Sequence, residues 1–418
     1  MDIHSPKGTR DILPDEIGKW RWVEETARTI FETFGYQEIR TPIFEHTEIF
    51  TRSIGEATDI VEKEMYTFKD KSGRSISLRP EGTASVVRAC IQNGMLDNVA
   101  LLKLYYMGQM FRYERPQAGR YREFWQAGAE AFGIADPAID AELLMLGELF
   151  LKKVGLSGVT LHLNSMGCAE CRPKYVKTLK KFLDGHLNEL CGQCVSRYDR
   201  NPLRTLDCKN PGCRKVLSNA PLILDHLCEP CKEHFSTVEK YLDELGIDYI
   251  EDPFIVRGLD YYSRTTFEFI AEGLGAQDTV LGGGRYDYLV EEFGGKPTPA
   301  LGFATGIDRI ILSLETQHAE IPQLPPIQVY IAVIGNQAIS SAVKITADLR
   351  KNGVSTEMEY VGRSLRAQMK TANKINAQYV IFIGEDEIES GVIPIRNMKS
   401  GDQKDVPIGE VVKYFEMA

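Results

Sequence analysis

No apolar run in the 418 residues reaches the 18 or more needed to span a bilayer, which excludes a helical membrane protein. The opening Met-Asp-Ile-His-Ser-Pro-Lys-Gly has neither the basic start nor the apolar stretch of a secretion signal, so a cytoplasmic protein is expected. Neither the P-loop spacing nor the dinucleotide fingerprint occurs, which argues against the common parallel-sheet nucleotide folds. No Ser/His or Cys/His pattern offers a side-chain nucleophile. An overall basic excess is also missing. The net charge of −10 argues against a generic nucleic-acid coat. There is no internal repeat and no low-complexity tract.

What is present is ordinary in bulk: 43% hydrophobic and 26% charged residues, enough apolar material for real cores. At about 150 residues per domain the length predicts two to three domains. The charge is uneven. Residues 160–250 carry 13 basic and 12 acidic side chains and residues 330–418 carry 11 of each, so the acidity lies in the remainder. Two near-neutral segments approach a polyanion more readily than an acidic body does.

Residues 16–34 have helical spacing, with Trp20, Val23, Ala27, Ile30, Phe31 and Phe34 on one face and Gly35 as a stop. Residues 36–45 alternate like a strand, demoted to an edge or interface by Pro42. Strand-like pieces follow at 64–68 and 75–79, then a helix from about Pro80. Leu102 to Phe111 and Arg122 to Ala131 predict a long hairpin, and 138–154 a helix. The texture then changes to helical spacing and paired cysteines. After Val256 it becomes β-rich again, with strands at 265–270 and 279–281 and a helix from Gly306. The proline-rich stretch 321–326 marks a boundary, beyond which strands and helices alternate as in a small α/β domain. The expected division is therefore 1–160, an insert over 161–249, 250–321, a linker at 322–327, and 328–418.

Three stretches carry chemistry. Phe111 to Arg122 sets four arginines in a hairpin; guanidinium forks match phosphate oxygens, although local pairing with Glu114 and Glu123 explains the charges equally well. Arg257-Gly-Leu-Asp-Tyr-Tyr262, with Gly282-Gly-Gly-Arg-Tyr-Asp287, offers close backbone approach and tyrosine hydroxyls, while a triple glycine alone more often marks a tight turn. Leu301 to Arg309 leads glycines into a helix.

Together with Arg79-Pro-Glu-Gly-Thr83, Lys7-Gly-Thr-Arg-Asp11 and Gly362-Arg-Ser-Leu365, these motifs resemble, in order and spacing, bacterial histidyl-tRNA synthetases. The resemblance spans essentially the whole chain. It implies an α+β fold: a class II synthetase catalytic domain built on an antiparallel sheet, a helical cysteine-rich insert, and a C-terminal α/β anticodon-binding domain. It further implies a homodimer with Pro42 at its interface, and a reaction of histidine with ATP and Mg²⁺ followed by transfer to tRNA(His). Arg112 and Arg309 match the arginines on ATP, accompanied by Glu114, and Arg257 matches the one at the reacting carboxylate and α-phosphate. Glu81, Thr83 and Gln126 match the holders of the α-amino group. Glu130, Tyr262 and Tyr286 match the residues around the imidazole. Arg115 and Gln117 are candidates for the tRNA acceptor end, and Arg363, Arg366, Lys370 and Lys374 form a basic stripe on the anticodon side. The alternatives are a catalytically inactive synthetase-like subunit regulating ATP phosphoribosyltransferase, or an RNA-binding module on the same fold.

Eight of nine cysteines lie between positions 168 and 231, as Cys168/Cys171, Cys191/Cys194, Cys208/Cys213 and Cys228/Cys231. The resemblance does not assign them. Eight thiolates suit two tetrahedral Zn²⁺ sites of structural type; one site with spare thiols, an iron–sulfur centre or buried free thiols are the alternatives. Which pairs combine is not readable from spacing. Cys90, in an apolar helix, reads as core.

Overall fold

The computed structural model describes residues 3–55, 58–271, 278–322 and 327–416. The chain forms two compact units, Met1–Pro322 and Gln323–Ala418. Of the expected linker 322–327, residues 323–326 lie outside the described residues.

The first unit is built on an eight-stranded sheet. Its order is Gln37–Glu38, Leu102–Phe111, Glu123–Phe132, Ala300–Gly306, Thr279–Arg285, Ser263–Ala271, Val159–Ser165 and Tyr249–Glu251. The six central strands pair antiparallel, and only the two short outer strands pair parallel. The predicted hairpin is present, with Leu102 opposite Phe132 and Phe111 opposite Glu123.

Helices Ile17–Thr33, Ala138–Val154, Glu229–Leu245 and Ile307–Thr316 all pack into the core of the sheet. Ile17–Thr33 buries Trp20, Val23, Ala27, Ile30 and Phe31, the predicted face, and Gly35 follows it with φ +80°. Ala138–Val154 buries Leu143, Leu144, Phe150 and Val154 in the same core. Both faces follow the helical period of their apolar residues.

Two expectations change. The alternating segment 36–45 is not one strand. Gln37–Glu38 joins the large sheet, whereas Phe44–His46 joins a three-stranded sheet with Ser75–Leu78 and Thr67–Lys69, because Pro42 interrupts pairing between them. The triple glycine is not a turn. Gly282, Gly283 and Gly284 lie inside the strand Thr279–Arg285.

The insert is less separate than its composition implies. Val159–Ser165 is a strand of the main sheet, so the 160/161 boundary falls within it. Helix Glu229–Leu245 sends Phe235, Val238 and Leu242 into the main core. Between these, Cys171–Asp184, Gly192–Arg200 and Pro211–Leu217 are short helices.

The second unit holds a five-stranded sheet ordered Thr356–Met358, Val329–Val333, Tyr379–Ile383, Val392–Asn397 and Gln403–Pro407. The first three run parallel, and the last two add antiparallel. Val329–Val333 is buried throughout, as its unbroken apolar run requires. No helix among the described residues is long and apolar enough to cross a membrane.

Candidate active site

The strands of the hairpin, Thr279–Arg285 and Ala300–Gly306 floor a cavity of about 310 Å³. Arg112, Arg257 and Arg309, which come from three distant stretches of sequence, all line it, together with Glu81, Thr83, Glu114, Gln126 and Tyr262.

Each arginine is oriented by a partner that leaves part of its fork free. Arg112 donates from Nε to the Pro80 carbonyl at 2.8 Å and packs over Phe124. Arg309, in the first turn of helix Ile307–Thr316, donates from Nη1 to the Thr279 carbonyl at 2.7 Å. Arg257 pairs with Glu268 while its Nε is buried without a protein acceptor. Burial first, then the positive charge of Arg120, lowers the Arg309 pKa. Burial also opposes the charge of Arg257, but Glu268 and Tyr262 outweigh it and raise that pKa. Packed cations with spare donors form a site for a polyanion.

The glycines in the strands make this packing possible. A Cβ on Gly282 would stand 2.5 Å from Nη1 of Arg257, and one on Gly302 only 1.7 Å from Oε2 of Glu130. The glycine motifs are therefore required by close approach of side chains rather than by turns.

Beside the arginines lies a polar corner. Glu81 accepts from the backbone N–H groups of Thr83 at 2.7 Å and Ala84 at 2.8 Å, at the start of helix Thr83–Gln92. Burial raises its pKa despite those bonds. Gln126 Oε1 accepts from the Tyr106 hydroxyl at 3.3 Å.

Glu130 and Tyr286 are fully buried and are not among the residues lining the cavity. They lie directly behind Thr83 and Gly302. Glu130 accepts from Thr83 Oγ1 at 2.6 Å and from the Tyr286 hydroxyl at 2.5 Å. Burial pushes its carboxyl up to about 8, with those two bonds pulling the other way.

Three lining residues fall inside the motifs singled out above but were assigned no role of their own. Arg120 faces the cavity and pairs with Glu114 at 2.9 Å; Tyr121 and Tyr261 also line it. Arg115 and Gln117 do not line it and are exposed in the hairpin loop. Alternation from the hairpin strands was the available signal for Arg120, but a loop does not keep that period. Arg285 of the Gly-Gly-Gly-Arg motif turns away from the cavity into a buried pair with Asp140 at 2.6 Å, tying its strand to helix Ala138–Val154.

In the second unit Arg366, Lys370 and Lys374 are exposed on helix Leu365–Lys374. Arg363 precedes that helix and is not part of the stripe. Its guanidinium grips Glu359 at 2.7–3.1 Å and holds that carboxyl down at about 2.

The cysteines converge as two sets of four, Cys168/Cys171/Cys228/Cys231 and Cys191/Cys194/Cys208/Cys213, with the ligand atoms of each set within 4.8 Å of one another. The first pair thus joins the fourth and the second joins the third. Cys168 Sγ lies 3.7 Å from that of Cys171 and 3.6 Å from that of Cys228; Cys191 and Cys208 are 3.9 Å apart. Hydrogen bonding from the Cys194 backbone, against burial, brings the Cys191 thiol down to about 7, whereas burial raises the Cys194 and Cys213 thiols of the same set. Cys90 is a buried core residue whose thiol burial pushes up to about 12.

Known proteins resemble the chain along its whole length. A family model described as Histidyl-tRNA synthetase matches residues 8–310, and one described as Anticodon binding domain matches residues 328–417. The Histidine--tRNA ligase of Halothermothrix orenii is 52% identical over 416 residues, spanning 100% of this chain and 99% of that one. That of Acetivibrio thermocellus is 49% identical over 417 residues and 100% of both chains. A solved structure of apo histidyl-tRNA synthetase from S. aureus is 39% identical with a TM-score of 0.84, covering 99% of this chain and 100% of that one. An ATP phosphoribosyltransferase regulatory subunit/histidyl-tRNA synthetase from Bacillus halodurans C shares the fold at 21% identity and a TM-score of 0.65. With a family model matching residues 8–310 and relatives about 50% identical over the full length, this chain belongs to the histidyl-tRNA synthetase family.

Proposed function

We propose that the chain is a histidine–tRNA ligase, joining histidine to ATP as histidyl-adenylate and then passing histidine to the 3′ end of tRNA(His). The observation that carries this reading is the convergence of Arg112, Arg257 and Arg309 on one cavity with Glu81, Thr83 and Gln126.

In the first step the histidine carboxylate attacks the α-phosphorus and pyrophosphate leaves. Two anions meet, so fixed cations that neutralise the charge growing on phosphorus oxygens carry most of the catalysis, and no protein nucleophile is required. Arg112 serves the α-phosphate, Arg309 the γ-phosphate side with Glu114 nearby, and Arg257 the reacting carboxylate. Mg²⁺ arriving with ATP supplies further neutralisation. In the second step the terminal ribose hydroxyl attacks the carbonyl carbon of the mixed anhydride; the ester forms as the C–O bond to AMP breaks, and AMP leaves as the hydroxyl gives up its proton. Arg115 and Gln117, exposed on the hairpin loop, serve the acceptor end, and Arg366, Lys370 and Lys374 the anticodon side.

Glu81, Thr83 and Gln126 hold the α-amino group. A neutral imidazole offers one donor and one acceptor. Tyr262, which lines the cavity, donates to one ring nitrogen, and Glu130, held with Tyr286 behind Thr83 and Gly302, accepts the ring N–H once the ligand has opened that layer. To do so Glu130 exchanges its bond from Tyr286 or Thr83 for one from the ring. A site that buries such groups rejects apolar amino acids by leaving them unpaired.

Each cysteine set holds one Zn²⁺. Tetrahedral ligation with Zn–S bonds of about 2.3 Å sets sulfur atoms about 3.8 Å apart. The separations of 3.6, 3.7 and 3.9 Å fit that edge length without rearrangement. The protein acts in the cytoplasm as a homodimer. Exposed Ile43 and Phe44 beside Pro42, with exposed Phe68 on the same small sheet, support a partner surface there.

Histidine-dependent ATP–pyrophosphate exchange, followed by charging of a tRNA(His) transcript, tests the reading. Both should be present. A folded protein that shows neither would refute it and return the regulatory-subunit alternative.

A further inference from the structure

The cysteine sets lie outside the arginine cavity, yet residues tied to each reach the Arg257–Tyr262 segment: Arg172, next to Cys171, for the first set, and the stretch between Cys194 and Cys208 for the second. Arg172 follows Cys171 directly. Its Nε donates to the Met166 carbonyl at 2.9 Å, and its Nη2 donates to the carbonyl of Tyr262. Asn201 and Arg204 lie between Cys194 and Cys208. Asn201 Nδ2 donates to Asp260 Oδ1 at 2.7 Å. Arg204 packs so closely on Gly258 that a Cβ there would stand 3.1 Å from Nη1. Arg197 steadies this stretch by donating to the Arg204 carbonyl at 2.9 Å and pairing with Asp59 at 3.3 Å.

The same buried apolar cluster contains Cys194, Cys208 and Cys213 and also Tyr261, Tyr262 and Tyr286. Asn201 joins a nine-residue helix to the four-residue 3₁₀ turn that bears Arg204. Elements this short do not hold their shape in water without a tertiary anchor. A metal closing the surrounding cysteines supplies that anchor.

Resting on the synthetase reading above, we propose that the two tetrathiolate sites are braces for the Arg257–Tyr262 segment. They fix Arg172 at one end, and Asn201 with Arg204 at the other, so that Arg257 and Tyr262 stay aligned. Histidine activation then depends on metals that touch neither substrate. Asn201 and Arg204 are positioning residues for the reaction.

The test uses the full-length protein and the variants Asn201→Ala, Arg204→Ala and Cys208→Ser. Bound zinc, hydrogen exchange of peptides over 254–264, and kcat and KM for histidine-dependent exchange are measured on each. Asn201→Ala should keep two zinc ions and its melting temperature, yet exchange hydrogen faster over 254–264. Its kcat should fall about tenfold with histidine KM changed less than about threefold, as misalignment without lost binding requires. Arg204→Ala should behave likewise. Cys208→Ser should lose one zinc ion and show the same local loosening.

Unchanged hydrogen exchange over 254–264 in Asn201→Ala, or zinc loss in Cys208→Ser without loosening there, overturns the brace. So does parent protein that binds no zinc. Parent protein that binds zinc but lacks pyrophosphate exchange instead refutes the synthetase reading, and the hydrogen-exchange comparison still decides whether the braces exist.

Discussion

Gly282→Ala is the smallest change that should disable Arg257 without removing it. Gly282 sits inside a strand and is not among the glycines with positive φ, so the backbone accepts alanine. The obstacle is on the cavity side. The new methyl would stand 2.5 Å from Nη1 of Arg257 and 2.8 Å from Cζ. Non-bonded heavy atoms settle at roughly 3.5 Å, so the guanidinium has to retreat by about 1 Å. A reacting group misplaced by about 1 Å costs about 10²-fold in rate, or about 2.7 kcal/mol of barrier. The clash meets the far end of a flexible side chain, so the cost to stability stays within the range of mild overpacking, about 1–3 kcal/mol. Steady-state histidine-dependent pyrophosphate exchange, with thermal unfolding alongside, separates the two effects. The expected result is a kcat about 10²-fold lower, with modest movement in KM for ATP and histidine. Arg257→Ala should lose as much or more. A folded Gly282→Ala protein that exchanges within about threefold of the parent would refute the claim that the position of this guanidinium governs the chemistry.

Further outcomes follow from the site and from the second unit. Glu130→Gln should raise the histidine KM while leaving the ATP KM near its parent value. The same substitution should change the pH dependence of stability. Burial lifts the folded pKa of Glu130 from 4.5 to about 8, so its contribution is full below about pH 4.5 and is lost as pH rises toward 8. Unfolding titrations across that window should therefore fall less steeply for the variant. Arg120→Ala should impair pyrophosphate exchange, whereas Arg115→Ala should leave exchange intact and lower tRNA charging; equal effects in both assays would contradict the roles. Arg366→Ala and Lys370→Ala should each reduce the salt slope of tRNA binding by about 1. Arg363→Ala should instead destabilise the second unit. Glu359 is held low by Arg363, so that contribution is present above about pH 4.5 and is lost as pH falls toward about 2.

Local order alone decided much of what the chain shows. The periodic face from Trp20 to Phe31, the stop at Gly35, the helix over 138–154 and the long hairpin are read correctly because neighbouring residues fix them. The motif set was legible for the same reason, since its arginines and tyrosines occur as contiguous words. Three other features were not. The segment 36–45 alternates evenly, yet its halves pair with different sheets, a choice made by strands remote in sequence. Arg363 falls at helical spacing with Arg366 and Lys370, but Glu359, from the segment before it, captures its charge. Gly282 to Gly284 look like a turn until the Arg257 guanidinium and the backbone of the neighbouring strands are known to press on them.

The sequence by itself determined the family, the periodic elements and the presence of eight thiols in pairs, because each depends on residue type and on spacing within one short stretch. Only the tertiary structure decided how those pairs combine, which arginine of the hairpin loop faces the cavity, and that Glu130 lies behind Thr83 rather than at the cavity wall. Those outcomes depend on distances between atoms far apart along the chain. Burial in the sheet sets such distances, and burial is a property of the whole fold rather than of any segment in it.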